Sequence, residues 1–293
     1  LRKIQMLIFA FLLLPSITWA DEQLLPDLNE EIVHVPMTID SFWGKKEIQL
    51  TATIYRPQGA GPFSLIVLSH GSTKNASERL EFGRYRLIPQ IREFIKRGFA
   101  VIVPIRRGYG MTGGAFAEDY GSCSNPTYYE AGQESSKDLV AAINFGSKLP
   151  HIKLDKILLV GQSGGGFASL AAASQNPQGV IGVVNFAGGR GGRADTNPGE
   201  PCCPERLGDA IRRFAKTIRV PVLWVYAEND KFFNPKHVQG WYQAFKDAGA
   251  TGRLVIMPPF GNNGHKLFPS KGGIPIWTVE FDKFLTGILK IKF

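Results

Sequence analysis

The chain has 293 residues, 44% of them hydrophobic and 20% charged. That mix is enough to bury a sizeable core and excludes a disordered chain. The formal net charge of +9 is spread along the sequence. No Lys/Arg run alternates with aromatics, so a nucleic-acid groove is not expected.

In chain order, residues 1–20 stand apart. Arg2 and Lys3 open the segment, Met6–Leu14 is a short apolar run, Pro15 breaks it, and Thr18-Trp19-Ala20 closes it with small residues at the positions a signal peptidase reads. This is the layout of a secretory signal peptide and is short for a bilayer span. Cleavage is expected after Ala20, leaving an exported protein, periplasmic or secreted, with no stable membrane anchor. Residue 21 is Asp, so the lipoprotein form of the signal is absent.

Residues 21–293 read as a single domain. Glu31–Asp40 and Glu47–Tyr55 suggest an antiparallel opening pair joined through Trp43-Gly44. Phe63–Ser69 is a short apolar strand, Arg84–Arg97 has helical periodicity with Gly98 as its stop, and Phe99–Ile105 is the next strand. Residues 111–132 are a Gly-, Tyr- and Ser-rich excursion carrying Cys123. After it, Gln133–Ser147 reads as a helix, Lys156–Val160 as a buried strand, and the Ala-rich stretch to about Ser174 as a helix. Strand Val180–Phe186 leads into a second excursion, Ala187–Pro204. Helix Glu205–Lys216, strand Val220–Ala227, helix His237–Ala248, strand Arg253–Met257 and helix Ile274–Ile288 complete the chain. The alternation predicts an α/β fold: one mostly parallel sheet of about eight strands, flanked by helices. Both excursions follow strand ends, where open α/β sheets place ligands, so they are expected to wall a pocket.

The cysteines are Cys123, Cys202 and Cys203. In an oxidising compartment Cys123 can bridge to Cys202 or to Cys203, whereas a bridge between the adjacent pair is geometrically awkward. There is no C-x-x-C, and no His sits at metal-ligand spacing from these residues, so neither metal nor other cofactor is expected.

Chemistry concentrates in Gly161-Gln162-Ser163-Gly164-Gly165. A buried-strand run, Ile157–Val160, precedes it and a helix follows, so Ser163 falls on a sharp strand-to-helix turn with its hydroxyl presented outward. A serine hydroxyl needs a base, and the base needs an orienting carboxylate. In such folds the order is Ser, acid, His, and only His237 and His265 follow Ser163. His265 lies in a glycine-rich loop after the last strand and is the expected base; His237 opens a helix and reads as a surface residue. Asp230, just past strand Val220–Ala227, is the expected acid, with Glu228 as the alternative. The oxyanion of a tetrahedral intermediate calls for two donors. They are expected from the backbone of Gly164 and of Ser72, with Gly71 as the alternative to Ser72. Arg190 and Arg193 could hold a carboxylate or sugar acid, but read better as solvated loop charges.

Taken together, His70-Gly71-Ser72, Arg107-Gly108-Tyr109-Gly110, Gly161–Gly165, Glu228-Asn229-Asp230 and Gly264-His265 resemble the α/β-hydrolase superfamily, in its dienelactone-hydrolase-like and prolyl-oligopeptidase-like branches. The resemblance spans about residues 47–290. It implies an α/β-hydrolase fold, a Ser163–Asp230–His265 triad acting through an acyl-enzyme on a small-molecule ester or related acyl substrate, and Tyr109 near the pocket. Dienelactone hydrolases proper use cysteine where this chain has Ser163. The expected activity is that of a carboxylesterase-type serine hydrolase. The alternatives are a peptidase or amidase of prolyl-oligopeptidase type and a non-catalytic binding protein on the same scaffold.

Overall fold

A computed structural model describes residues 23–290; the segment read as a signal peptide lies outside the described residues. Among the described residues eight strands form one sheet: β1 (Glu31–Ser41), β2 (Gly44–Tyr55), β3 (Phe63–Ser69), β4 (Phe99–Pro104), β5 (Ile152–Gln162), β6 (Val180–Phe186), β7 (Val222–Ala227) and β8 (Gly252–Met257), in the order β1-β2-β4-β3-β5-β6-β7-β8. β1 pairs antiparallel with β2, and β2 with β4; every other pairing is parallel. This is the α/β-hydrolase fold anticipated from the sequence.

Seven α-helices accompany the sheet among the described residues: α1 (Ala76–Leu80), α2 (Ile88–Lys96), α3 (Tyr128–Gly146), α4 (Gly164–Ala173), α5 (Pro204–Ala215), α6 (Pro235–Asp247) and α7 (Ile274–Leu289). The central strands are buried on both faces, which is why they read as unbroken apolar runs rather than as alternating ones. Alternate residues go to opposite sides. Ile157 and Leu159 of β5 join a core with Leu139 of α3, Phe167 of α4, Phe214 of α5 and Trp241 of α6. Leu158 and Val160 join the other core, with Phe94 of α2 and Trp277 and Phe281 of α7.

Two helices begin elsewhere than periodicity suggested. The expected helix over 84–97 is confined to Ile88–Lys96, with proline in its first turn. Upstream, Arg84 and Arg86 reach the buried carboxylate of Glu30 at 2.8 and 2.6 Å, and that tertiary pairing outweighs local helical preference. Conversely, α3 starts at Tyr128 rather than Gln133. The Tyr128 hydroxyl donates to the carbonyl of Cys202 at 2.6 Å, fastening the first turn to the second excursion.

Candidate active site

The C-terminal ends of β3, β5 and β7 converge on one cavity, and each supplies a loop to it. β5 ends at Gln162, and Ser163 turns directly into α4 with φ 56° and ψ −125°. A non-glycine residue adopts that strained backbone only where its surroundings enforce it. Here the Ser163 N–H donates to the Phe186 carbonyl at 2.9 Å, and its own carbonyl accepts from Gly189 N–H at 3.1 Å. Its hydroxyl makes no capping bond to the helix it heads, so the side chain is free to face the cavity, of which it is a lining residue. The turn is tight enough to require its glycines. A Cβ on Gly161 would run into the backbone of Gly165, and one on Gly165 into the carbonyls of Ser69 and His70.

Asp230 and His265 come together from different loops. His265 Nδ1 lies 3.0 Å from Asp230 Oδ2 and 3.2 Å from Oδ1. The carboxylate is fixed from behind, because Oδ1 also accepts the N–H groups of Phe232 at 2.7 Å and Phe233 at 3.1 Å. Both groups are nearly buried, Asp230 at 4% and His265 at 7% exposure, and Phe232 lies over the imidazole with ring centres 4.2 Å apart. Glu228, the alternative acid, is exposed. The other late histidine, His237, sits in the first turn of α6 and contacts Glu200 at 2.6 Å instead.

Two asparagines to which the sequence assigns no role hold the acid and histidine loops in register. Asn263 Oδ1 accepts from His265 N–H at 3.1 Å and from Lys231 N–H at 3.0 Å. Asn229 Oδ1 accepts from Phe260 N–H at 2.9 Å, while its amide donates to the Gly261 carbonyl at 2.9 Å. Their positions in Glu228-Asn229-Asp230 and Asn263-Gly264-His265, one and two residues before a candidate, are the signal that could have found them.

The loop after β3 faces the turn after β5. A Cβ on Gly164 would strike the Ser72 hydroxyl and stand 3.2 Å from the Ser72 nitrogen. Gly164 opens α4, where an N–H has no acceptor one turn back. The Ser72 N–H likewise has no acceptor among the described residues. Two backbone donors therefore stand beside Ser163, at the end of a helix whose dipole favours negative charge. Gly71 sits against Ser163 from the same loop, with 3.5 Å between its would-be Cβ and that of Ser163.

The cavity, about 360 Å³, is lined by the two excursions as expected: Phe116, Tyr120 and Cys123 from the first, Gly189 to Arg193 and Cys202 from the second, with Phe232 and Phe233 between. A Cys123–Cys202 disulfide staples them, and Cys203 is free.

Two expectations are corrected. Tyr109, expected beside the pocket, is fully buried behind its wall and is not a lining residue; its hydroxyl donates to Glu118 at 2.8 Å and accepts from Thr73 N–H at 3.3 Å. Arg190, read as a solvated loop charge, is 3% exposed and paired with the buried Glu118 at 2.9 Å. Desolvating it is tolerable because a carboxylate 72 residues earlier in the chain is buried against it, which local sequence does not reveal.

A family model described as the dienelactone hydrolase family matches residues 86–273. No curated protein matches the chain in sequence. Among solved structures, the acylaminoacyl peptidase of Pyrococcus horikoshii superposes with a TM-score of 0.60 at 16% identity, over 90% of this chain and 42% of that one. This chain thus spans about two fifths of that peptidase. An esterase of Pyrococcus furiosus gives 0.56 at 15% identity, covering 88% and 90% of the two chains. The acetyl xylan esterase from Paenibacillus sp. R4 gives 0.58 at 14% identity, covering 89% of each. At these identities the structures speak for the fold alone.

Proposed function

The chain belongs to the dienelactone hydrolase family and is a hydrolase; from that premise we propose that it is an exported serine esterase, with Ser163 as nucleophile, His265 as base and Asp230 as the orienting acid. The observation that carries the reading is the buried Asp230–His265 pair, packed through Phe232 against the cavity that Ser163 lines in its strained turn. Serine stands where dienelactone hydrolases proper have cysteine, which favours ordinary ester chemistry over the thiolate route.

In this mechanism His265 Nε2 takes the hydroxyl proton as Ser163 Oγ attacks the ester carbon. Asp230 holds the Nδ1–H tautomer and stabilises the imidazolium. The carbonyl oxygen becomes an oxyanion between the N–H groups of Gly164 and Ser72. Collapse breaks the ester C–O bond, and His265 returns the proton to the departing alcohol. Water, deprotonated by His265, then attacks the acyl-enzyme, releasing the acid and restoring Ser163. A cavity of about 360 Å³ walled by Phe116, Tyr120, Phe232 and Phe233 suits a short or medium acyl ester.

Export rests on the signal-like segment 1–20 and is supported by the Cys123–Cys202 disulfide, the kind of bond that persists in oxidising compartments. Among the described residues no helix is long and apolar enough to cross a membrane.

The test treats wild type and Ser163→Ala with a fluorophosphonate while following hydrolysis of short- and medium-chain p-nitrophenyl esters. Wild type should gain one phosphonyl adduct on Ser163 and turn over; the variant should do neither. Folded wild type that neither labels nor hydrolyses any ester would sink the proposal in favour of a non-catalytic binding protein. Turnover confined to amides or short peptides would make it a peptidase.

A further inference from the structure

Behind the loop that carries Ser72 lies a buried charged cluster for which the mechanism above has no role. Arg106 follows β4 and is fully buried, and a guanidinium has five N–H donors in a rigid fork. Here the fork grips three consecutive residues. Nη1 donates to Ser69 Oγ at 2.9 Å and to the His70 carbonyl at 2.7 Å, and Nη2 donates to the Gly71 carbonyl at 3.1 Å. Nε and Nη2 also donate to the two oxygens of Glu118, at 2.7 and 3.0 Å.

The backbone of the same residue adds a fourth anchor, since Arg106 N–H donates to His70 Nε2 at 3.1 Å. That requires a neutral His70 with its proton on Nδ1, which donates to the Gly71 carbonyl at 2.6 Å. Burial, and then the neighbouring Arg106 charge, holds His70 well below the usual histidine range, so the neutral form persists. On the far side of Ser72, Thr73 N–H donates to the Tyr109 hydroxyl, which itself donates to Glu118. Residues 69, 70, 71 and 73 are therefore all tied to one Arg106–Glu118–Tyr109 network, and the backbone N–H of residue 72, between them, is left for a ligand. Arg190 also pairs with Glu118. Two guanidiniums share one carboxylate, and the cluster keeps an excess positive charge behind the place where the oxyanion would form.

We propose that Arg106, held in its fork by Glu118, is a positioning residue for transition-state stabilisation: it fixes the 69–71 backbone so that Ser72 N–H stays aimed beside Gly164 N–H. The inference rests on the serine-esterase reading. Its signature is specific. A donor that matters only to the tetrahedral state changes kcat and leaves ground-state binding nearly alone.

The experiment compares wild type, Ser163→Ala and Arg106→Lys, the last keeping the charge and removing the fork. The readouts are kcat and KM for p-nitrophenyl acetate, inhibition by phenylboronic acid (which forms a tetrahedral adduct on a serine) and thermal unfolding by circular dichroism. Arg106→Lys is expected to lower kcat roughly 10- to 100-fold, a displaced oxyanion donor's range or somewhat below it. KM should stay within about threefold, and the boronate inhibition constant should rise in step with the loss of kcat. A folded variant whose kcat holds within twofold, or whose only change is a lower melting temperature or a higher KM, overturns the proposal. If Arg106→Lys does not fold, Glu118→Gln is measured against the same expectation; failure of both to fold assigns the cluster to stability alone and also overturns it. Wild type without serine-dependent turnover fails the underlying reading instead, and Ser163→Ala separates that case from the others.

Discussion

Asp230 makes contacts to His265 Nδ1 and to two backbone N–H groups, all within 3.2 Å. An amide in its place could present its NH₂ to Nδ1 and stabilise the wrong tautomer, leaving Nε2 protonated and unable to act as base. Asp230→Asn is therefore expected to lower kcat by about 10³- to 10⁴-fold, the loss typical of a disrupted acid in such a triad, with KM little changed. Steady-state ester kinetics checks this, and a loss under tenfold would remove Asp230 from the proposed role. Glu228, exposed two residues earlier, serves as the control: Glu228→Gln should retain wild-type kcat within about twofold. Side-chain type and order singled out Asp230. The roles of its companions Asn229 and Asn263 are hydrogen bonds between loops more than 30 residues apart; closeness to the candidates in sequence marks their positions, but no local pattern names their partners.

Among the elements, the two excursions have little regular structure of their own and form much of the cavity wall. The Cys123–Cys202 bond closes a loop with a separation of 79 residues. Constraining so long a loop in the unfolded chain is worth about 2–5 kcal/mol. Without the bond the second excursion keeps its tie to the first turn of α3, where the Tyr128 hydroxyl donates to the Cys202 backbone carbonyl, but the covalent link between the two walls is gone. A Cys123→Ser/Cys202→Ser double variant is expected to lose stability of that order in urea unfolding and to show a raised KM, since the wall contacts substrate rather than the reacting atoms. Cys203→Ser, which leaves the bridge intact, should match wild type in both. Equal stability of the double variant and wild type would show that packing alone holds the excursions. Composition foretold that they would wall a pocket, because both follow strand ends. It left the partner of Cys123 open between Cys202 and Cys203, since adjacent residues are indistinguishable until the backbone direction is fixed.

At the scale of the whole molecule, acid stability reports on the buried His70. An unfolded histidine titrates near pH 6.5, whereas folded His70 lies well below, chiefly through burial. Between those values the unfolded chain holds the extra proton, so His70 makes stability fall as pH drops from about 6.5. The limit is about 1.4 kcal/mol per pH unit, and the contribution is fully present above about pH 7. Burial also lowers His151, in the same direction, while burial pushes Asp138 up to about 6 and acts in the opposite sense. The diagnostic is therefore a difference. Urea unfolding of wild type and His70→Asn at pH 7.5, 6.5 and 5.5 should show a smaller acid-side decline in the variant, because the other groups are common to both. Identical declines would contradict the assignment.

The linear sequence by itself determined the sheet, the strand-to-helix turn at Ser163 and the order of the candidate residues. Each is written in local terms: unbroken apolar runs for strands buried on both faces, glycines where a Cβ would strike backbone, and a histidine loop after the last strand. Tertiary structure decided the rest. It moved the start of α2 to satisfy Glu30, buried Arg190 against Glu118, placed Tyr109 behind the wall rather than in it, and clamped the Ser72 loop with Arg106. The physical reason is common to all four. The energy of a buried charge or hydroxyl depends on partners that only the folded chain brings within 3 Å or so. For Glu30, Arg190 and Arg106 the partners just named lie more than 30 residues away, and even Glu118, nine residues from Tyr109, is drawn to its hydroxyl only by the fold of the intervening loop.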